Sequence, residues 1–135
     1  MDSELRGKLK QKGINRLFKS FRYAFEGIIY TLKYEQNMLI HVLATIAVIG
    51  LGLIVKLSIV EWLFCILFIG IVIATELINS SIEAVVDLIS PEKNSLAKVA
   101  KDTASGAVLV FALTSLIGGL IIFIPKIIML IESWY

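Results

Sequence analysis

Glu76, Asn79, Glu83 and Asp87 punctuate a largely apolar stretch at spacings of three, four and four. At about 100° per residue, the three acids nearly eclipse on a helix and Asn79 flanks them. Acids stacked this way repel unless a cation or a positive group sits among them. Lys98, Lys101, Asp102 and Ser105 form a second stripe at helical spacing shortly afterwards. A solvated helix end would account for Asp87, and plain interhelical ion pairing would account for the lysines. Glu76 resists both readings. It follows Glu61 with 14 residues between them, about 21 Å of helix against a hydrocarbon layer of about 30 Å. At least one of these acids therefore sits at or inside the lipid boundary. Trp62, beside Glu61, suits the outer interface. An acid at membrane depth is costly, which marks Glu76 as a functional candidate.

Glu35 stands just before the first apolar block. An acid there is a poor choice for holding anionic lipid and a better one for holding a metal. Hard oxygen ligands suit Mg²⁺, which is usually bound by one or two carboxylates plus phosphates. Glu35 and Glu83 can supply that pair, which leaves Glu76 free as a base.

The elements that must position these groups follow from composition and period. Of the 135 residues, 58% are hydrophobic and 18% charged, against about 45–50% and about 25% in an ordinary soluble domain. An ordinary soluble globule is excluded, and so is a disordered chain. A lone Cys65 excludes a disulfide framework and a cysteine-built metal site. Met38–Val55, Leu57–Thr75 and Thr103–Pro125 are each apolar enough for a span. The polar N-terminus does not resemble a signal peptide. Lysine and arginine number eleven in the N-terminal segment and the second connection, against Lys56 and Lys126 alone on the other side. This predicts a cytoplasmic N-terminus and an outer C-terminus, with Trp134 and Tyr135 in the interfacial belt.

Ile14, Leu17, Phe18, Phe21, Phe25, Ile28, Ile29 and Leu32 recur every three or four residues, with Arg16, Lys19, Tyr23 and Glu26 on the opposite stripe. The pattern predicts an amphipathic helix, lying on the membrane surface or packed on the bundle. The second span's period continues to Ile89. Ser90 as N-cap and Pro91 at the first position are expected to open the last helix. The whole reads as one domain, 1–135. An interfacial segment covers 1–36, and helices at about 38–56, 58–89 and 92–131 carry three spans. The fold class is all-α and integral to the membrane.

Other features carry less. His41 reads as an interface residue and Cys65 as a small core residue. Gly50, Gly52, Gly70, Gly118 and Gly119 read as packing sites. Neither a GxxxxGK[ST] loop nor a protein-kinase HRD or DFG element occurs. The basic N-terminus fits anionic lipid better than nucleic acid.

The run from Glu76 to Asp87, with Ala97-Lys98-Val99-Ala100-Lys101-Asp102 and Ser105-Gly106-Ala107-Val108 after it, resembles the prokaryotic diacylglycerol kinase and undecaprenol kinase family. Gly13, Arg16, Lys19, Tyr23, Gly27 and Glu35 extend the match over nearly the whole chain. The resemblance implies a homotrimer of three-span subunits in the bacterial plasma membrane, with composite sites at the cytoplasmic face. It implies transfer of the γ-phosphoryl of Mg-ATP to a lipid hydroxyl. Glu76 would be the base, with Asn79 in support, and Glu35 and Glu83 would hold the metal. Arg16, Tyr23, Lys101 and Asp102 match nucleotide contacts, as do Glu35 and Glu83 through the metal; Glu92, Lys93 and Asn94 match by position. Arg16, Trp62, Glu76 and Ser105 fall where lipid is expected. The segment Glu35-x-Asn37-x-x-Ile40-His41 looks like the Gram-positive branch, which favours undecaprenol over diacylglycerol. A small proton-coupled exporter, using Glu76 as its membrane carboxylate, is the alternative of another class. It leaves the Glu83–Asp87 and Lys101–Asp102 stripes unexplained.

Overall fold

A computed structural model describes residues 14–92 and 94–133. Lys93, the aromatic pair Trp134 and Tyr135, and the basic residues before Ile14 lie outside them. The described residues form four helices: α1, Ile14–Tyr34; α2, Gln36–Ile54; α3, Ile59–Ile89; and α4, Ser95–Glu132. The last three are long and apolar enough to cross a membrane. The chain divides into two compact units, one ending at Tyr34 and the other beginning at Glu35.

The first unit is α1. Arg22 pairs with Glu26 one turn on at 3.2 Å, and its guanidinium lies 5.2 Å from the Tyr23 ring centroid. The apolar residues Ile14, Leu17, Phe18, Phe21 and Phe25 are all exposed.

In the second unit α3 packs on α2 and, more extensively, on α4. The α3–α4 pair is antiparallel. Glu61 near the start of α3 meets Lys126 near the end of α4 at 3.1 Å. Asp87 near the end of α3 meets Lys101 near the start of α4 at 2.9 Å. Between these levels the Phe68 ring lies against Gly118, where a Cβ would collide with it. A small core of Leu57, Cys65 and Phe123 sits toward the Glu61 end, with Val48, Val55, Trp62 and Ile122 packed on it.

The α2–α3 turn is tightly specified. Lys56 adopts φ 53°, the left-handed position that glycine usually fills after a helix. The Leu57 amide then donates to the Gly52 carbonyl at 3.0 Å. Ser58 caps α3 in a reciprocal box, with Glu61 Oε2 accepting from the Ser58 amide at 2.6 Å. Gly52 is required by close approach, because a Cβ there would lie 2.7 Å from Trp62 Cη2 and 2.9 Å from Leu57 Cδ1. Gly52→Ala is expected to destabilise the fold by about 1–3 kcal/mol through overpacking. Thermal unfolding in micelles would measure this, and an unchanged midpoint would show that Trp62 moves aside freely.

The start of α4 corrects one expectation. Ser90 closes α3, its amide donating to the Val86 carbonyl at 2.8 Å. Asn94 is the N-cap, with Oδ1 accepting from the Leu96 amide at 2.8 Å and the Ala97 amide at 3.4 Å. The connection is therefore longer than Ser90-Pro91 suggested, and α4 begins at Ser95 instead of near 92. Asn and Ser are comparable caps, and Ser90 is already committed to ending α3. Pro125 lies inside α4, which continues to Glu132.

Candidate active site

Glu76 is the most enclosed polar group of the second unit, 1% exposed. Neither carboxylate oxygen has a hydrogen-bond partner among the described residues. An ionised carboxylate in that state is expensive, so it marks a place prepared for a proton, a donor or a cation. Glu61, the other acid in the apolar run, is the opposite case. It is satisfied by Ser58 and Lys126, so its role is capping and helix pairing.

The polar stripe of α3 continues from Glu76. Asn79 is 4% exposed. Its Nδ2 donates to Glu83 Oε1 at 3.0 Å, and its Oδ1 is buried without a donor. Lys101 comes across from α4. Its Nζ donates to both Asp87 oxygens, at 2.9 and 3.0 Å, and lies 3.9 Å from Glu83 Oε2. Glu35 is the N-cap of α2, extended at φ −103° and ψ 116°, yet its side chain makes no capping bond. That leaves its carboxylate available for another use. Glu35 and Glu83 both lie within electrostatic reach of Glu76 and of Lys101. The two sequence stripes thus meet, as antiparallel neighbours allow.

A cleft of about 810 Å³ opens where α3 gives way to α4. Glu83, Glu92, Asn94, Lys101, Asp102 and Ser105 are among its lining residues. Lys98 pairs with Asp102 along the same helix. Its mixture of lysines, acids and capping groups suits a polyanion carried with a cation.

Arg16 and Tyr23 are on α1, in the first unit; both are exposed. Lys93 lies outside the described residues. Trp62 is 14 positions from Glu76 on α3, about 21 Å along the axis, and packs over Gly52. Two residues enter that the sequence alone did not assign. Asp87 is the hydrogen-bond partner of Lys101. His41 places Nε2 3.9 Å from Glu76 Oε2, with its side chain 17% exposed. The stripe spacing pointed at Asp87, but no sequence signal pointed at His41, because its position depends on how α2 crosses α3.

The donor set fits a divalent cation of the Mg²⁺ type. Among the described residues no three His, Cys, Asp or Glu side chains converge on a metal position. Glu35 and Glu83 lie within electrostatic reach of Glu76, and an ion held by two carboxylates would complete its shell with phosphates and water.

The chain is similar to known proteins over most of its length. Residues 22–123 match the model of the prokaryotic diacylglycerol kinase family. The chain is 49% identical over 114 residues to the undecaprenol kinase of Bacillus subtilis, covering 84% of this chain and 93% of that protein. It is 36% identical over 115 residues to a diacylglycerol kinase of Synechocystis, covering 84% of this chain and 66% of that protein. A diacylglycerol kinase of Helicobacter pylori (strain J99) is 38% identical over 101 residues, covering 75% of this chain and 79% of its own length.

Proposed function

The chain belongs to the prokaryotic diacylglycerol kinase family, and we propose that it transfers the γ-phosphoryl of ATP to the hydroxyl of undecaprenol. The observation that carries this reading is the buried, unpartnered carboxylate of Glu76, about two helical turns along α3 from Glu83 in the wall of the polar α3–α4 cleft. The choice of lipid is supported by the match to the Bacillus subtilis enzyme along almost its entire length. Diacylglycerol is the second reading, supported by the diacylglycerol kinases among the relatives.

Phosphoryl transfer demands positioning and charge stabilisation more than covalent catalysis by the protein. Glu76 accepts the proton of the lipid hydroxyl. The hydroxyl oxygen forms a bond to the γ-phosphorus, the bond from that phosphorus to the β–γ bridging oxygen breaks, and ADP leaves. Glu35 and Glu83 would hold Mg²⁺, which when bound offsets the charge of the phosphates. Lys101 and Arg16 add positive charge on the nucleotide side. Tyr23, Glu92, Lys93, Asn94 and Asp102 would complete the nucleotide contacts. Asn79 fixes Glu83 through its amide. Arg16, Trp62 and Ser105 would contact lipid. Asp87 holds Lys101 until phosphate takes its place.

In the same reading the protein is a homotrimer forming one membrane domain per chain, with sites composed from neighbouring chains. Only 11–17% of each apolar window is buried within one chain, which leaves wide surface for lipid and partner subunits. The lysine and arginine distribution supports a cytoplasmic N-terminus and α3–α4 connection, α1 lying in the interface, and a C-terminus outside.

The test is purified protein in micelles with labelled ATP and Mg²⁺, offered undecaprenol and diacylglycerol in competition. Label is expected predominantly in undecaprenyl phosphate. Label chiefly in phosphatidic acid would transfer the assignment to the second reading. Label in neither would overturn the lipid-kinase reading and favour the exporter.

A further inference from the structure

The helix that carries Glu76 gives its carboxylate no hydrogen-bond donor. Thr75 Oγ1 donates to the Ile71 and Val72 carbonyls, both at 2.9 Å. Ser80 Oγ donates to the backbone carbonyl of Glu76 at 3.0 Å. Each hydroxyl has one proton to give, so neither serves the carboxylate. The Asn79 amide donates to Glu83. Both oxygens of Glu76 are left without a partner. The nearest donor comes from α2. Among the described residues His41 is the basic side chain that approaches Glu76, with Nε2 3.9 Å from Oε2. Both groups are confined, the carboxylate at 1% and the imidazole at 17% exposure. Met38, three residues before His41 and on the same face of α2, is 1% exposed and fixes that face inward. The separation exceeds a hydrogen bond by about 1 Å, a gap that a small rotation of either side chain closes.

We infer that His41 is the positioning residue of the base: its Nε2–H holds Oε2 of Glu76 and so sets the direction in which the carboxylate takes up a proton. The inference rests on the kinase reading above and adds a residue that acts on Glu76 instead of on either substrate. A carboxylate with free torsions spreads its lone pairs over a wide arc. Held at Oε2, it aims Oε1 one way, and a misplacement of about 1 Å at a reacting group costs up to about 10²-fold in rate. A third group that orients the base recurs wherever a hydroxyl must be activated. Histidine suits this task better than lysine. A neutral imidazole donates a hydrogen bond without the fixed positive charge that would make the carboxylate a weaker base.

The test measures kcat and both KM values, for undecaprenol and Mg-ATP in micelles, in wild type, His41→Leu, His41→Asn and His41→Gln. The first two changes are repeated in the Glu76→Gln background. A glutamine amide nitrogen reaches the position of Nε2, whereas an asparagine amide stops at that of Nδ1. His41→Leu and His41→Asn are each expected to lower kcat at least about tenfold with both KM values within about twofold, and His41→Gln to recover to within about threefold of wild type. In the Glu76→Gln background neither change should lower kcat more than about twofold, because a residue acting through the carboxylate has nothing left to act on. If His41→Leu does not fold, the two amides, alike in polarity, carry the comparison between them. Equal losses in His41→Asn and His41→Gln, or a further large loss in the Glu76→Gln background, would give His41 a structural role and overturn the inference. Wild-type kcat in His41→Asn would overturn it, and so would a raised KM for undecaprenol at unchanged kcat. Those outcomes leave the kinase reading standing. Failure of the wild type to label either undecaprenol or diacylglycerol would defeat that reading, and this inference with it.

Discussion

Glu76→Gln is expected to reduce the turnover of lipid phosphorylation by about 10²–10⁴-fold, the usual contribution of a positioned proton acceptor. The substitution keeps shape and volume and removes only the charge and the basic oxygen. At 1% exposure there is little room for water to take over the role. Mg-ATP binding should survive, because no nucleotide contact is assigned to Glu76. The fold should be no weaker, and melt at the same or a higher temperature, because an unpartnered buried carboxylate is replaced by a neutral amide. Near-normal turnover in this variant would remove the base assignment. Lost nucleotide binding together with a lowered melting temperature would reassign Glu76 to the framework.

Glu83→Gln tests the other half of the chemistry. Glu83 accepts the Asn79 amide, approaches Lys101 and lines the cleft. Glutamine can still accept from Asn79 through its own carbonyl oxygen, so the local packing is retained. What disappears is one of two negative charges proposed to hold Mg²⁺. KM for Mg-ATP is expected to rise at least about tenfold, with a steeper requirement for free Mg²⁺ and little change in KM for lipid. Equal changes in both constants would point to a structural role, and an unaltered Mg²⁺ dependence would exclude Glu83 from the metal site.

The positions of these groups were legible in the sequence to different depths. The eclipsed acids of α3 follow from helical period alone, and a continuous helix brings them to one face whatever packs around it. The apolar spans follow from length. The Ser58–Glu61 box is a local pattern, so its geometry could be read from three-residue spacing. Tertiary geometry was another matter. Whether Lys101 meets Asp87 or Glu83 depends on the register of α4 against α3. The approach of His41 to Glu76 depends on a crossing between helices distant in sequence, which period cannot express. The cap of α4 was expected at Ser90 and falls at Asn94: both residue types cap well, and Ser90 is already used to end α3. An apolar groove of about 490 Å³ between α2, α3 and α4 was invisible, since each of its walls reads as ordinary membrane-facing sequence.

The ion pairs Glu61–Lys126 and Asp87–Lys101 have a mechanical consequence. They clamp α3 to α4 at two levels separated by 26 residues of α3, about 39 Å. Sliding either helix by one turn would break both clamps and drive Gly118 off Phe68. Piston motion is thereby suppressed, and the soft deformations left to the pair are bending and twisting. If nucleotide draws Lys101 away from Asp87, the clamp at that end opens while the one at Glu61 stays shut. The helix pair then behaves as a hinged tweezer, its pivot at the Glu61–Lys126 end and its greatest excursion at the Asp87–Lys101 end.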